Sequence, residues 1–418
     1  MATAPARGPF LCLPCILLLV LMLTAHDVTA QATAAEKAQA SEPLFQQRFE
    51  SFKAEGYDPL TTPVEWYRPT EAVTGQGPVP LGPQAVPPEN RTVSSTSIKA
   101  AAAYAEKQNS TALLVWHAGS LQYEQYWQGR GRESFFNPQS MSKTVAALMT
   151  GIALRDGYIG SVEDPVGNYI AEWTDDPRGR ITLRQLLQMS AGLAQLSDSY
   201  EISLDNPAVY QHFGTDFVSP ILGLHQADAP GTRWDYNNNE TNLLGLVIER
   251  ASGKRYAEYL SESLWKPMGL ADAALYLDRP QGEPMFSCCI LSRPLDWLAL
   301  GVLVLQRGEY RGKQVVPAEW VDEMSRPADT NEGYGYLLWL GDHALADERP
   351  MPTYPNQPWS SEPYADPETV IFRGFGYQRV WIMPARRLVI VRSGSDWPED
   401  WDNTVIPNVI FRGTPAET

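Results

Sequence analysis

Cysteine is scarce in this chain: four residues in 418, of which Cys12 and Cys15 fall in the first thirty positions. The other two, Cys288 and Cys289, are neighbours and cannot staple distant segments, so stability has to come from a packed core. Adjacent cysteines read more readily as two buried free thiols than as a vicinal disulfide. Histidine is as sparse. Beyond the first thirty positions only His117, His212, His225 and His343 occur, none in HExxH or Cys/His spacing, which leaves zinc chemistry without ligands and the metal set empty. Neither a Gly-x-Ser-x-Gly elbow nor a glycine-rich phosphate loop is present. Basic charge is also short, 33 Lys and Arg against 49 Asp and Glu. The net charge of −16 argues against nucleic acid or an anionic membrane as partner.

Long apolar runs are missing too, with one exception. MATAPARGPF carries one arginine and no acid, LCLPCILLLVLMLTA follows, and VTA precedes Gln31. That is the layout of a secretory signal, cleaved after Ala30, and it implies a periplasmic or secreted protein. Cys12 and Cys15 lack a lipobox context, and no later stretch approaches the ~18 apolar residues of a membrane span.

Residues 31–95 form a proline-rich arm. EPLFQQRFESFKAEGY is helix-prone, whereas Pro59 to Pro88 holds eight prolines and excludes regular helix or central strand. Trp66 and Tyr67 favour an arm that wraps the body over a free linker. The remaining chain, 96–418, reads as one large domain. TALLVWHAGSLQYEQYW has two β-rich runs around Ala118-Gly119-Ser120, a hairpin. Residues 160–280 read as helices and loops, with ITLRQLLQMSAGL and NLLGLVIERASGKRYAEYLSESLWKPMGL the clearest helices. PLDWLALGVLVLQRG and PAEWVDEMSRP follow as helices. GYGYLLWL, ETVIFRGFG, YQRVWIMP and LVIVRSG read as short strands, and EDWDNTVIPNVIF as a closing helix broken at its proline. The expected class is α+β: a body with a mainly antiparallel sheet flanked by helices, built from both ends of the chain, with a helical lobe at about 160–280 inserted.

Three short elements have the residue types of one site. Ser140 and Lys143, in PQSMSKTVAALMT, are three residues apart and share a helix face. A serine at a helix start lies where unpaired N–H groups and the dipole favour an oxyanion, and a desolvated lysine beside it loses its proton near neutrality. The bland alternative is Ser140 as a helix cap and Lys143 as a solvated charge. Tyr236-Asn237-Asn238 supplies a phenol able to relay a proton and an amide, Asn238, able to orient lysine and substrate. Phe372-Arg373-Gly374-Phe375-Gly376 lets a substrate lie against a strand edge, its backbone able to donate a second N–H. Asp235 and Glu240 flank the tyrosine as solvated loop acids. Each motif is cheap: Ser263-Leu264-Trp265-Lys266 repeats the first and Tyr354-Pro355-Asn356 the second. Pro267 closes the helix after Lys266, however, and Tyr354 lies in a proline-laden loop.

Order and context are more specific. From 111 to 413 the chain resembles the serine β-lactamase and penicillin-binding superfamily, most closely the class C-type branch that includes esterases and 6-aminohexanoate-dimer hydrolase. The hairpin with GSLQYEQYW, then SMSKTVAALMTGIALRDGYIGSVEDPVGNYIAEW, PGTRWDYNNNETNLLGLVIERASGKRYAEYL and RGFGYQRVWIMPARRLVIVRSG, fall in family order. The resemblance implies Ser140 as acylated nucleophile, Lys143 as base or base partner, Tyr236 as proton relay and Asn238 as polar orienter. It places the third motif, usually Lys or His followed by Thr/Ser-Gly, on Phe372-Arg373-Gly374, with the N–H groups of Ser140 and Phe375 as oxyanion donors. The missing Lys or His and the arginine at 373 depart from the β-lactam-binding pattern, unless Arg373 supplies the charge. The expected protein is thus a cofactor-free serine hydrolase acting on a small amide or ester. A β-lactamase or D-amino-acid peptidase is the alternative, and a binding protein that kept the fold without turnover a further one.

Overall fold

The structure, a computed structural model, describes residues 32–56, 58–78, 82–196, 201–346 and 359–416. The expected signal and Tyr354-Pro355-Asn356 lie outside these. The arm opens with α1 (Ala34–Gln39) and α2 (Pro43–Ala54) and continues through β1 (Thr70–Val73). It wraps the body. Arg48, buried at 2 % exposure, donates to the carbonyls of Phe213, Gly214, Arg68 and Leu277, while Phe45, Phe52 and Trp66 pack on His212 and Phe213. β1 adds to the edge of a three-stranded sheet, where a strand that begins after Pro69 is tolerated.

After α3 (Ser95–Lys107), the hairpin forms as β2 (Ser110–His117) and β3 (Ser120–Tyr126). The chain then turns into α4 (Ser142–Arg155). Between β3 and residue 272 the described residues hold helices and turns but no strand: α5 (Leu183–Leu187), α6 (Pro207–Phe213), α7 (Val218–Leu222), α8 (Asn238–Ser252), α9 (Tyr256–Leu260) and α10 (Lys266–Met268). β4 (Ala273–Tyr276) and β5 (Ile290–Leu291) complete the small sheet with β1. α11 (Pro294–Leu305), the hairpin β6 (Glu309–Tyr310) and β7 (Lys313–Gln314), and α12 (Ala318–Met324) follow. Last come β8 (Trp339–Leu340), α13 (His343–Ala346), β9 (Val370–Gly374), β10 (Gln378–Met383), β11 (Leu388–Gly394) and α14 (Val405–Arg412).

The main sheet runs β3-β2-β11-β10-β9-β8, every pair antiparallel, so the early hairpin joins the last strand. The body is α+β, as expected. β2, β10 and β11 are buried along their whole length, which requires cover on both faces. α11 lies on one face, its Gly301 close against Val380 and Val389. Arg392, which points to the other face, reaches Gln108 at the end of α3 and stacks on Trp401 ahead of α14.

Four local readings change. Of GYGYLLWL only Trp339–Leu340 is strand, because Leu337 turns at φ 52° and its N–H donates to Leu187. ITLRQLLQMSAGL gives only five helical residues before Met189 takes φ 53°. Pro407 sits in the first turn of α14, where its missing N–H costs nothing, so the helix is unbroken. The cysteines are not free thiols. Cys288 and Cys289 are joined, at a backbone with φ 72° for Cys289, in which neighbouring side chains can meet.

Candidate active site

Ser140 stands in a tight turn, Gln139–Met141, that feeds directly into α4. Gln139 takes φ 54°, and its N–H donates to Asn137 Oδ1 at 2.9 Å, so the turn is held by its own side chain. One turn on, Lys143 is 2 % exposed. Its ammonium donates to Ser140 Oγ at 2.9 Å and to the Ser287 carbonyl at 3.0 Å, and lies 5.0 Å from the centre of the Tyr236 ring. Burial disfavours the charged ammonium and brings its pKa down to about 7. Ser140, Lys143 and Tyr236 are therefore in one place. The repeated motif behaves otherwise: Lys266 is exposed and Ser263 only half-buried, at the close of a helix.

The Tyr236-Asn237-Asn238 run enters α8. Asn237 is fully buried; it caps the helix through Asn239 N–H at 3.0 Å and donates to the Leu193 carbonyl at 3.0 Å. Asn238 occupies the first helical position and is exposed, while the second hydrogen bond of the Lys143 ammonium goes to the Ser287 carbonyl. That residue was not foreseen. Neither was Asn242, one turn into α8, whose Oδ1 accepts the Ser287 N–H at 2.8 Å. A polar residue within the apolar run NLLGLVI was the available signal for Asn242; nothing near Ser287 marked it. Glu240 is not a solvated acid but fully buried in the first turn of α8. Desolvation holds its carboxyl well above the usual range, against N–H groups of the 191–193 segment and aided by Asp235.

The third element closes the site. A Cβ on Gly374 would lie 2.2 Å from the Pro138 carbonyl, so only glycine lets the end of β9 come this close to the Ser140 turn. Phe372 is buried in the core. Arg373 lies over the Trp339 ring, its Cζ 4.1 Å from the ring centre, and donates to the Ala344 carbonyl at 2.8 Å. Trp339 in turn faces Tyr236 at 5.5 Å, with Trp234 and Tyr334 each 6.3 Å from the same phenol ring. Among the described residues no cluster of His, Cys, Asp and Glu could hold a metal ion, and no helix is long and apolar enough to cross a membrane.

The main sheet with its flanking helices and helical lobe has the β-lactamase/transpeptidase-like fold. Residues 99–288 match the Beta-lactamase family model. It is 24 % identical over 316 residues to 6-aminohexanoate-dimer hydrolase of Paenarthrobacter ureafaciens, covering 70 % of this chain and 74 % of that protein. A Bacillus anthracis structure provisionally named 6-aminohexanoate-dimer hydrolase superposes with a TM-score of 0.64 at 20 % identity, over 84 % of this chain and 91 % of that one. EstCE1, a hydrolase with promiscuous acyltransferase activity, superposes at 0.59 with 14 % identity, over 76 % of this chain and 98 % of that one.

Proposed function

We propose that this chain is an exported serine hydrolase that opens an amide or ester bond through an acyl-enzyme on Ser140. The 2.9 Å contact between Ser140 Oγ and a buried lysine that sheds its proton near neutrality carries this reading. Neutral Lys143 takes the hydroxyl proton as Oγ bonds to the substrate carbonyl carbon. The carbonyl oxygen takes the negative charge, received by the N–H groups of Ser140 and Phe375. Removing one such donor typically costs about 10²–10³ in rate. The proton passes through Lys143 and Tyr236 to the leaving nitrogen or oxygen, the bond to carbon breaks, and water then attacks the acyl carbon by the same route in reverse. No cofactor enters. The aromatic wall of Trp234, Tyr236, Tyr334 and Trp339 suits a small amide or ester with an apolar acyl part. Arg373, engaged by Trp339 and Ala344, is not poised as a carboxylate grip, which favours esters and linear amides over β-lactams.

Mass spectrometry after a fluorophosphonate probe tests the mechanism: one adduct on Ser140, absent in Ser140→Ala, is expected. An adduct on any other residue sinks it. Export is part of the same reading, supported by the apolar run before Ala30. N-terminal sequencing of the exported protein is expected to begin at Gln31.

A further inference from the structure

Three consecutive arm residues reach both the turn that carries Ser140 and the segment that follows β9. Asp58 accepts the Leu60 N–H through Oδ1 at 2.7 Å and the indole N–H of Trp397 through Oδ2. The Trp397 ring meets Phe375 edge-on, centroids 5.0 Å apart. The Pro59 carbonyl accepts from the Tyr67 hydroxyl at 3.2 Å and from Gln139 Nε2 at 3.4 Å. Leu60, buried, fills the space over Gly376, where a Cβ would lie 2.2 Å from its Cδ1. Gln139 and Gly376 both have positive φ, 54° and 69°, and such backbone persists only when its surroundings hold it. Gln139 immediately precedes Ser140, and Gly376 immediately follows Phe375.

We infer that residues 58–60 of the arm are a positioning clamp that sets the spacing between the N–H groups of Ser140 and Phe375. The clamp rests on the acyl-enzyme reading above. Its members touch no reacting atom; they brace the residues on either side of the two donors. In a preorganised oxyanion site a small displacement of one donor is felt in the transition state and little in the ground state.

The test uses the whole mature chain with a p-nitrophenyl ester. Asp58→Ala and Leu60→Ala are each expected to lower kcat about ten- to a hundredfold with KM within about twofold. Inhibition by phenylboronic acid, whose tetrahedral adduct on Ser140 occupies the oxyanion position, should weaken by the same factor as kcat. Asp58→Asn, which keeps an oxygen for the indole, should recover most of the loss. A fall in kcat that merely tracks the folded fraction in thermal melts, or that leaves boronate affinity intact, overturns the clamp. So do variants at wild-type kcat in a protein that labels on Ser140. A wild type that takes no fluorophosphonate on Ser140 overturns the hydrolase reading and the clamp with it.

Discussion

In the proposed mechanism Lys143 must be neutral to accept the Ser140 proton, and burial sets the pH at which that happens. With its pKa brought down to about 7, kcat/KM for an ester should rise about tenfold per pH unit below that point and level off above it. Lys143→Met should remove this limb and at least about 10²-fold of rate; a flat profile through neutrality in the wild type would count against lysine as base. The same residue taxes the fold. Its folded pKa lies below the unfolded one, so the penalty is complete below about 7 and fades as pH rises toward 10.5. Glu240 has the opposite sign. Its folded pKa is raised, so folding binds a proton and stability falls as pH climbs above the unfolded value of 4.5. Glu240→Gln, always neutral, should therefore gain in Tm over wild type as pH is raised from mildly acidic to mildly alkaline, as read by calorimetry. An equal difference at all pH values would show the carboxyl to be ionised throughout.

Elements with a regular period were legible in the residues; those fixed by distant partners were not. The 110–126 hairpin, α4 and α11 follow their apolar patterns. GYGYLLWL alternates as a strand should, yet its backbone is spent elsewhere: Tyr336 N–H donates to the Met324 carbonyl, Leu337 N–H to that of Leu187, and the Leu337 carbonyl accepts from the Thr144 hydroxyl. The site divides in the same way. Ser140 and Lys143 are three residues apart and visible as a pair, whereas Ser287 holds the same ammonium from 144 positions away. Nothing local distinguishes such a serine. Gly374 was singled out for substrate access, and its tighter reason is the Pro138 carbonyl. Gly374→Ala should push β9 off the Ser140 turn, costing about 1–3 kcal/mol in chemical denaturation and most of the esterase rate. Asn242→Ala should cost about 1–3 kcal/mol by orphaning the buried Ser287 N–H. Because Ser287 steers the lysine, it should also move the acidic limb of the pH profile, which a purely structural loss would leave in place.

At the scale of the whole molecule the arm is part of the core. Arg48 supplies hydrogen bonds to four carbonyls from three separate segments. Arg48→Ala should destabilise the protein by at least about 3 kcal/mol in urea denaturation, and an unchanged midpoint would mean that the arm docks without it. The substrate range is also set at this scale. With Arg373 stacked away on Trp339 and no Lys or His at 372, ester turnover should exceed nitrocefin turnover by about 10²-fold or more. Comparable rates on both would return the chain to the β-lactamase side of its relatives.

The Asp58–Trp397 bond spans 339 positions, and that span has a consequence in time. The proposed nucleophile, Ser140, leaves the ribosome well before the residues that complete its surroundings, from Arg373 to Trp397. In that interval the chain holds the serine and the lysine without the strand that packs against their turn. Under the proposed mechanism a protein of this layout starts inert and acquires its chemistry only when its two distant halves meet.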